Sequence, residues 1–100
     1  MNEGRKDDEG KLDWLLLPYL QLEIIVKVLE FGAKKYGINN WQHIDYPKPR
    51  YLKAAMRHLI ARIKGQRDDE ESGLPHLAHC VCCLLFLLWF DDNDKTISNP

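Results

Sequence analysis

Residues 74–91 have the sequence LPHLAHCVCCLLFLLWFD, and this stretch decides the fold class of the chain. It lacks the alternation of apolar and polar residues that is typical of a half-buried strand, and it is apolar on nearly every side of a helix. Its uninterrupted apolar run, Cys80 to Phe90, has 11 residues, whereas a membrane-spanning helix needs roughly 20. We therefore expect a buried core helix here.

Two further helices are predicted before this one, and no segment of the chain has a convincing strand pattern. The three predicted helices cover about residues 18–36, 50–64 and 74–91. Gly37 and Gly65 follow the first two, as capping glycines do. The sequence predicts an all-α fold class in a single domain, residues 1–100, with an N-terminal arm over 1–13 and a flexible tail over 93–100.

Two of the three helices are too apolar to be covered within one chain. The first helix is apolar almost all round except for one charged stripe, Glu23, Lys27, Glu30 and Lys34. Three helices in 100 residues cannot bury two such surfaces completely. We therefore expect a small helical bundle that is completed by oligomerisation, as an obligate dimer or larger assembly.

The polar stripes of the first two helices allow two interpretations. Glu23–Lys27 and Glu30–Lys34 have the spacing of solvent-exposed ion pairs, but the same stripe also suits the wall of a polar cleft. On the second helix, His58 lies on a stripe that is either simply solvated or suited to an anionic ligand.

An acidic segment, Asp68 to Glu71, precedes the third helix. The helix dipole and capping account for one or two of these acids, while four in a row repel one another and would be relieved by a hard cation such as Mg²⁺. His76 and His79 share a helix face. With Cys80 and Cys83 they resemble a soft-metal set, but no recognised zinc spacing is present.

Composition and missing motifs exclude several classes of protein. The net charge of −1 gives no attraction to a nucleic-acid duplex or to an anionic membrane. No secretory signal is evident, and three clustered cysteines are typical of a reducing compartment, so a cytoplasmic location is expected. No phosphate-binding glycine loop or nucleophile elbow occurs. Metal activation of water is the mechanism that the available side chains allow.

Five short motifs resemble a known family when they are taken in order. They are Lys6-x-Asp8-x-Gly10-Lys11, Phe31-Gly32-Ala33-Lys34-Lys35-Tyr36-Gly37, Asn40-Trp41, Arg57-His58-Leu59 and Asp69-x-Glu71-Ser72-Gly73-Leu74-Pro75-His76-Leu77-Ala78-His79. Together they resemble the dATP/dGTP diphosphohydrolase family, common in phages, within the MazG/HisE-like all-α pyrophosphohydrolases. The resemblance covers about residues 5–90.

The resemblance implies that dATP or dGTP is hydrolysed to the monophosphate and pyrophosphate, with Mg²⁺ or Mn²⁺, by a dimer or tetramer in the cytoplasm of a phage host. It implies three metal ligands, Glu23, Asp69 and Glu71. His76 and His79 would support that site, and Glu30 or a histidine such as His79 would take the proton.

The substrate-binding residues that this interpretation gives are Lys11, Lys27, Lys34, Lys35, Trp41, Arg57, His58 and His76. Lys34, Lys35 and Arg57 match basic positions suited to a triphosphate, and Lys11 in the arm would close over the phosphates. Trp41 would either stack on a purine or anchor its own loop.

The chain departs from the broader superfamily on its first helix, where Lys27 lies one turn after Glu23 and only Glu30 follows on that face. A protein of this fold with an incomplete metal set would be a non-catalytic nucleotide-binding or phage–host interaction module. A structural zinc protein is the third alternative.

Overall fold

The computed structural model describes residues 4–93, and three long helices account for most of them. Helix α1 spans Tyr19–Tyr36, α2 spans Pro47–Ile63 and α3 spans His76–Asn93. Single-turn 3₁₀ helices at Trp14–Leu16 and Asn40–Gln42 flank α1. Within the described range the pairing of extended backbone is limited to an isolated bridge between Asp68 and Pro75. The predicted all-α fold with three helices is confirmed.

The helix ends match the predicted ones closely, with one instructive exception. Gly37 ends α1 with φ at 107°, and its N–H donates to the carbonyl oxygen of Ala33 at 2.8 Å. Helix α2, however, begins at Pro47 rather than near Arg50. Pro47 and Pro49 are compatible with a loop, but a proline is also favourable in the first turn of a helix, where its missing N–H has no partner to lose.

Helix α3 is the central element, and small side chains on two of its faces let the neighbouring helices approach. Toward α2, Cys80 and Cys83 pack with Ala55. Toward α1, Ala78 and Cys82 pack with Val28. The cysteines are free and buried, and burial raises the pKa of Cys82 to about 12. They are therefore neutral packing residues.

Aromatic rings fasten the loop between α1 and α2 to the C-terminal half of α3. The Trp41 ring stacks on Phe86 with a centroid distance of 4.3 Å and meets Trp89 edge-on at 5.1 Å. The Tyr51 hydroxyl donates to the carbonyl oxygen of Trp41 at 3.1 Å. This aromatic cluster lies at the C-terminal half of α3, whereas the acidic segment precedes the N-terminus of that helix.

Much apolar surface stays uncovered in the single chain. Val28 is the only residue of α1 that is buried, and on α3 Leu84 and Leu88 are 51% and 61% exposed. Among residues 4–93 no large side chain is completely buried. None of the helices in this range is long and apolar enough to cross a membrane.

The predicted N-terminal arm, 1–13, lies mostly within the described residues, whereas the predicted tail, 93–100, lies mostly outside them. Residues 4–13 are exposed along their whole length, and Asn93 still belongs to α3. The remainder of the predicted tail, 94–100, lies outside the described residues, as do residues 1–3 of the predicted arm.

Candidate functional site

A cavity of about 1040 Å³ lies between α1, the α2–α3 pair and the acidic segment. Its lining residues come from all three long helices, the loop after α1 and the acidic segment. The charged and imidazole side chains among its lining residues are Glu30, Lys35, Arg50, Arg57, His58, Asp69, Glu71 and His79. A smaller cavity of about 450 Å³ lies along α2, and no acid lines it. The larger cavity is therefore the candidate site for metal and phosphate.

The acidic segment forms a closed turn that fixes Asp69. The Asp69 N–H donates to the Leu74 carbonyl oxygen, and the Gly73 N–H donates to the Asp69 carbonyl oxygen, both at 2.8 Å. Gly73 has φ at 72°, a conformation that favours glycine. The Asp69 Oδ2 atom accepts the Ser72 N–H at 2.9 Å. The carboxylate is thus oriented by backbone geometry.

Three histidines from α2 and α3 meet beside this turn. The Nδ1 atoms of His58 and His76 are 2.8 Å apart, and both residues are buried. His79 stacks on His58 with a centroid distance of 4.6 Å and an interplanar angle of 13°. Its Nε2 atom lies 2.7 Å from Ser72 Oγ and 3.9 Å from Asp69 Oδ2. The histidines and the turn form one connected polar cluster.

The surroundings of this cluster set its protonation. Burial lowers the pKa of His58 to about 4, and repulsion from His79 adds to the effect. Burial also lowers the pKa of His79, although Asp69 opposes it. For Asp69, burial acts to raise the pKa, but hydrogen bonds from Ser72 outweigh it and the pKa falls below its ordinary value. At neutral pH the His58 and His79 imidazoles are thus neutral beside an ionised Asp69 carboxylate.

This combination is a possible metal-ligand group. The ligand atoms of His58, Asp69 and His76 all lie within 4.8 Å of one another. Neutral imidazole nitrogens and a carboxylate oxygen are donors that divalent metals accept. Two further acids, Glu30 from α1 and Glu71 from the turn, line the same cavity.

A lysine side chain links α1 to the acidic turn beside the cavity. Lys35 on α1 forms an ion pair with Glu71, and the hydrogen bond with Glu71 is the main reason that the pKa of Lys35 is raised. The Lys35 Nζ atom also lies 5.0 Å from the centre of the Tyr36 ring. Arg57 lines the cavity from α2. With Arg50, three positively charged side chains thus line the cavity together with the acids.

The opposite end of the cavity is aromatic. Trp41, Phe86 and Trp89 are among the lining residues there, whereas Tyr36 lies beside Lys35. One face of Trp41 is covered by Phe86, which makes Trp41 an anchor of its loop. Its partly exposed ring nevertheless contributes to the cavity wall.

Most of the site residues predicted from the sequence come together here, although four do not. The residues that line the cavity are Glu30, Lys35, Trp41, Arg57, His58, Asp69, Glu71 and His79. His76 is not a lining residue, but its Nδ1 atom contacts that of His58 at 2.8 Å. Four others are exposed and lie outside this lining, namely Lys11, Glu23, Lys27 and Lys34. The roles assigned to them stay predictions.

Ser72 was not singled out from the sequence, yet it joins the turn to the histidines. Its Oγ atom accepts the Leu74 N–H at 3.1 Å and contacts His79. A serine three residues after an aspartate, in a turn before a helix, is a signal for such local side-chain to backbone bonding. Ser72 is therefore a positioning residue of the site.

Comparison with known proteins agrees with the predicted resemblance. No solved structure matches the chain. A curated relative from Salmonella phage PMBT28, named dATP/dGTP diphosphohydrolase, is 37% identical over 93 residues, which are 93% of this chain and 31% of that protein. The chain thus spans about a third of the relative's length. The family model described as dATP/dGTP diphosphohydrolase, N-terminal, matches residues 1–99. The chain therefore belongs to the dATP/dGTP diphosphohydrolase N-terminal family.

Proposed function

We propose that this chain catalyses the metal-dependent hydrolysis of dATP or dGTP to the monophosphate and pyrophosphate. One observation carries the proposal: a single cavity combines His58 and Asp69 of a possible metal-ligand group, further acids, three cations and an aromatic end. Those are the groups that a metal–triphosphate complex with a purine base requires. The name of the phage relative supports the choice of substrate.

Mg²⁺ or Mn²⁺ is the proposed cofactor, and the donors in the cavity fit either ion. Asp69 and Glu71 would hold the ion, with Glu30 as the acid from α1, because Glu30 lines the cavity whereas Glu23 does not. Both ions accept carboxylate oxygens and leave positions for phosphate oxygens. When bound, such an ion neutralises phosphate charge and makes water a stronger nucleophile.

The side chains of the chain have separate tasks in this proposal. Lys35 and Arg57 bind the phosphates, and the aromatic end receives the base. Water adds to the α-phosphorus, the bond to the oxygen that bridges to the β-phosphorus breaks, and pyrophosphate leaves. Glu30 or His79 accepts the proton of the attacking water. Ser72 holds His79 in place for this role.

A homo-oligomer, a dimer or a tetramer, is the proposed functional form. The exposed apolar residues of α1 and α3 need an apolar partner surface. The same surfaces of a second copy would cover them best. Light scattering coupled to size-exclusion chromatography tests this directly. A monomer at micromolar concentration would contradict it.

The test of function is a substrate panel read out by product identity. The full chain is incubated with dATP, dGTP, dCTP and dTTP in the presence of Mg²⁺ or Mn²⁺. We expect monophosphate and pyrophosphate from the purine nucleotides. Diphosphate and phosphate as products would reject the reaction. Purine nucleotide binding without hydrolysis would instead support the non-catalytic binding module. This alternative is included because the match covers only 31% of the phage protein.

A further inference from the structure

We propose that His58, His76 and Asp69 form a nitrogen-rich site that binds a first-row transition metal ion such as Mn²⁺ or Zn²⁺ in preference to Mg²⁺. The three side chains come from α2, α3 and the acidic turn. The site deepens the proposed function, on which it rests for its purpose. Its existence is tested without nucleotide or turnover.

The geometry needs only a small adjustment to accept an ion. The three ligand atoms lie within 4.8 Å of one another, and the two Nδ1 atoms are 2.8 Å apart. Two nitrogens bound at about 2.1 Å to a tetrahedral ion lie about 3.4 Å apart. Opening the histidine pair by roughly 0.6 Å would reach this spacing. The Asp69 carboxylate oxygen, which lies within 4.8 Å of the histidine ligand atoms, would move toward the ion as well.

The charge balance of the site also calls for a cation. The Asp69 side chain is only 21% exposed. Among the described residues its ion-pair partner is the His79 imidazole, whose Nε2 atom lies 3.9 Å from Asp69 Oδ2. No lysine or arginine of residues 4–93 pairs with it. A divalent ion would supply the missing positive charge.

The donor set determines which ions are preferred. Imidazole nitrogen is a better ligand for first-row transition metal ions, such as Mn²⁺ and Zn²⁺, than for Mg²⁺. The Mg²⁺ ion prefers oxygen ligands and retained water. Two histidines and one carboxylate also leave coordination positions open, and His58 and Asp69 both line the cavity. The cysteines take no part, since they pack against α1 and α2. This site therefore differs from the histidine–cysteine set that the sequence suggested.

The experiment measures metal binding to the full chain after chelation and in the absence of nucleotide. Calorimetric titrations with Mn²⁺, Zn²⁺ and Mg²⁺ are compared, and pulsed electron paramagnetic resonance on the Mn²⁺ complex detects directly bound nitrogen. We expect one Mn²⁺ per site with at least tenfold tighter binding than Mg²⁺, together with nitrogen couplings from imidazole.

The fourth histidine of the chain provides a matched control. His43 is exposed in the loop before α2. His76→Gln should weaken Mn²⁺ binding at least tenfold, while His43→Gln should leave it unchanged. If circular dichroism shows that His76→Gln is unfolded, the spectrum of the wild-type Mn²⁺ complex decides alone.

Three results would overturn the proposal: no nitrogen coupling, Mg²⁺ binding as tight as Mn²⁺ binding, or equal affinities in a folded His76→Gln and in His43→Gln. The two proposals fail in different ways. Metal binding as expected without hydrolysis of any nucleotide rejects the enzymatic function and retains the site. Hydrolysis supported by Mg²⁺ without nitrogen coupling rejects the site and retains the function.

Discussion

The α2–α3 pair and helix α1 are anchored to very different extents. Three residues of α2 and six of α3 are buried, whereas α1 has one, Val28. The candidate site is divided in the same way. The histidines come from the α2–α3 pair, while Glu30 and Lys35 come from α1.

This difference separates the buried histidines, which need fixed geometry, from the Lys35 side chain, which does not. A metal site depends on ligands held within a fraction of an ångström, which buried helices provide. Phosphate binding by a long lysine side chain tolerates a less firmly held wall. We therefore expect changes at the histidines and at Asp69 to lower turnover or stability most, and loss of Lys35 on α1 to alter substrate affinity.

The largest effect is expected for Asp69→Asn. Asparagine keeps an acceptor for the Ser72 N–H but removes the negative charge beside the histidines. We expect kcat to fall on the order of 1,000-fold, as for other groups that stabilise charge in the transition state. Pyrophosphate release measures the rate, and circular dichroism checks the fold.

Asp68→Asn is the matched control for this change. Asp68 is the neighbouring acid, it is exposed, and it pairs with Arg67 at 2.8 Å outside the cavity. Its rate should stay within a factor of two or so of wild type. Equal losses in both variants would show that the turn needs its total charge and not the Asp69 carboxylate.

Stability should separate the two regions next. Ala55 is 4% exposed between α2 and α3, so Ala55→Leu overpacks the contact and should lower the free energy of unfolding by about 2 kcal/mol. Ala33 on α1 is half-buried at the cavity wall, and Ala33→Leu should cost less than about 1 kcal/mol. Chemical denaturation at one protomer concentration measures both. Equal losses in the free energy of unfolding for the two variants would show that α1 is packed as tightly as the α2–α3 pair.

The helices themselves follow from local sequence, which explains why most of the fold was predictable. Apolar spacing and the capping glycine at Gly37 are properties of neighbouring residues. The start of α2 was missed because Pro47 and Pro49 are compatible either with a loop or with a first helical turn. The backbone of Tyr46, with φ at 52°, is what directs the chain into the helix at that point.

The site was predictable only where it is local. Asp69, Glu71 and His79 lie within one segment, so their proximity follows from the chain itself. Glu23 and Glu30 share a helix face two turns apart, and a helix wheel cannot tell which turn faces the cavity. That choice depends on how far α1 is shifted along α3. The contact between His58 and His76 likewise depends on the alignment of α2 with α3.

A smaller effect on α1 is expected for Lys35→Gln. Lys35 lines the cavity and pairs with Glu71, so its loss should raise KM for the triphosphate about tenfold, with kcat nearly unchanged. Lys34→Gln is the control, because Lys34 is exposed outside the cavity. Steady-state kinetics distinguish the two. A large loss of kcat in Lys35→Gln would place Lys35 itself in the chemical step.

The smallest effect is expected where the α2–α3 pair is joined by charge. Lys48 and Asp91 approach to 3.6 Å, and the Asp91 side chain is 64% exposed. Asp91→Asn removes this pair but also removes an acid from the C-terminal end of α3, where the helix dipole disfavours negative charge. The two contributions oppose each other, so the free energy of unfolding should change by less than about 0.5 kcal/mol. Denaturation at low and high salt measures it. A loss above about 1 kcal/mol that disappears in high salt would mean that charge, and not the packing around Phe90, holds this end of the pair together.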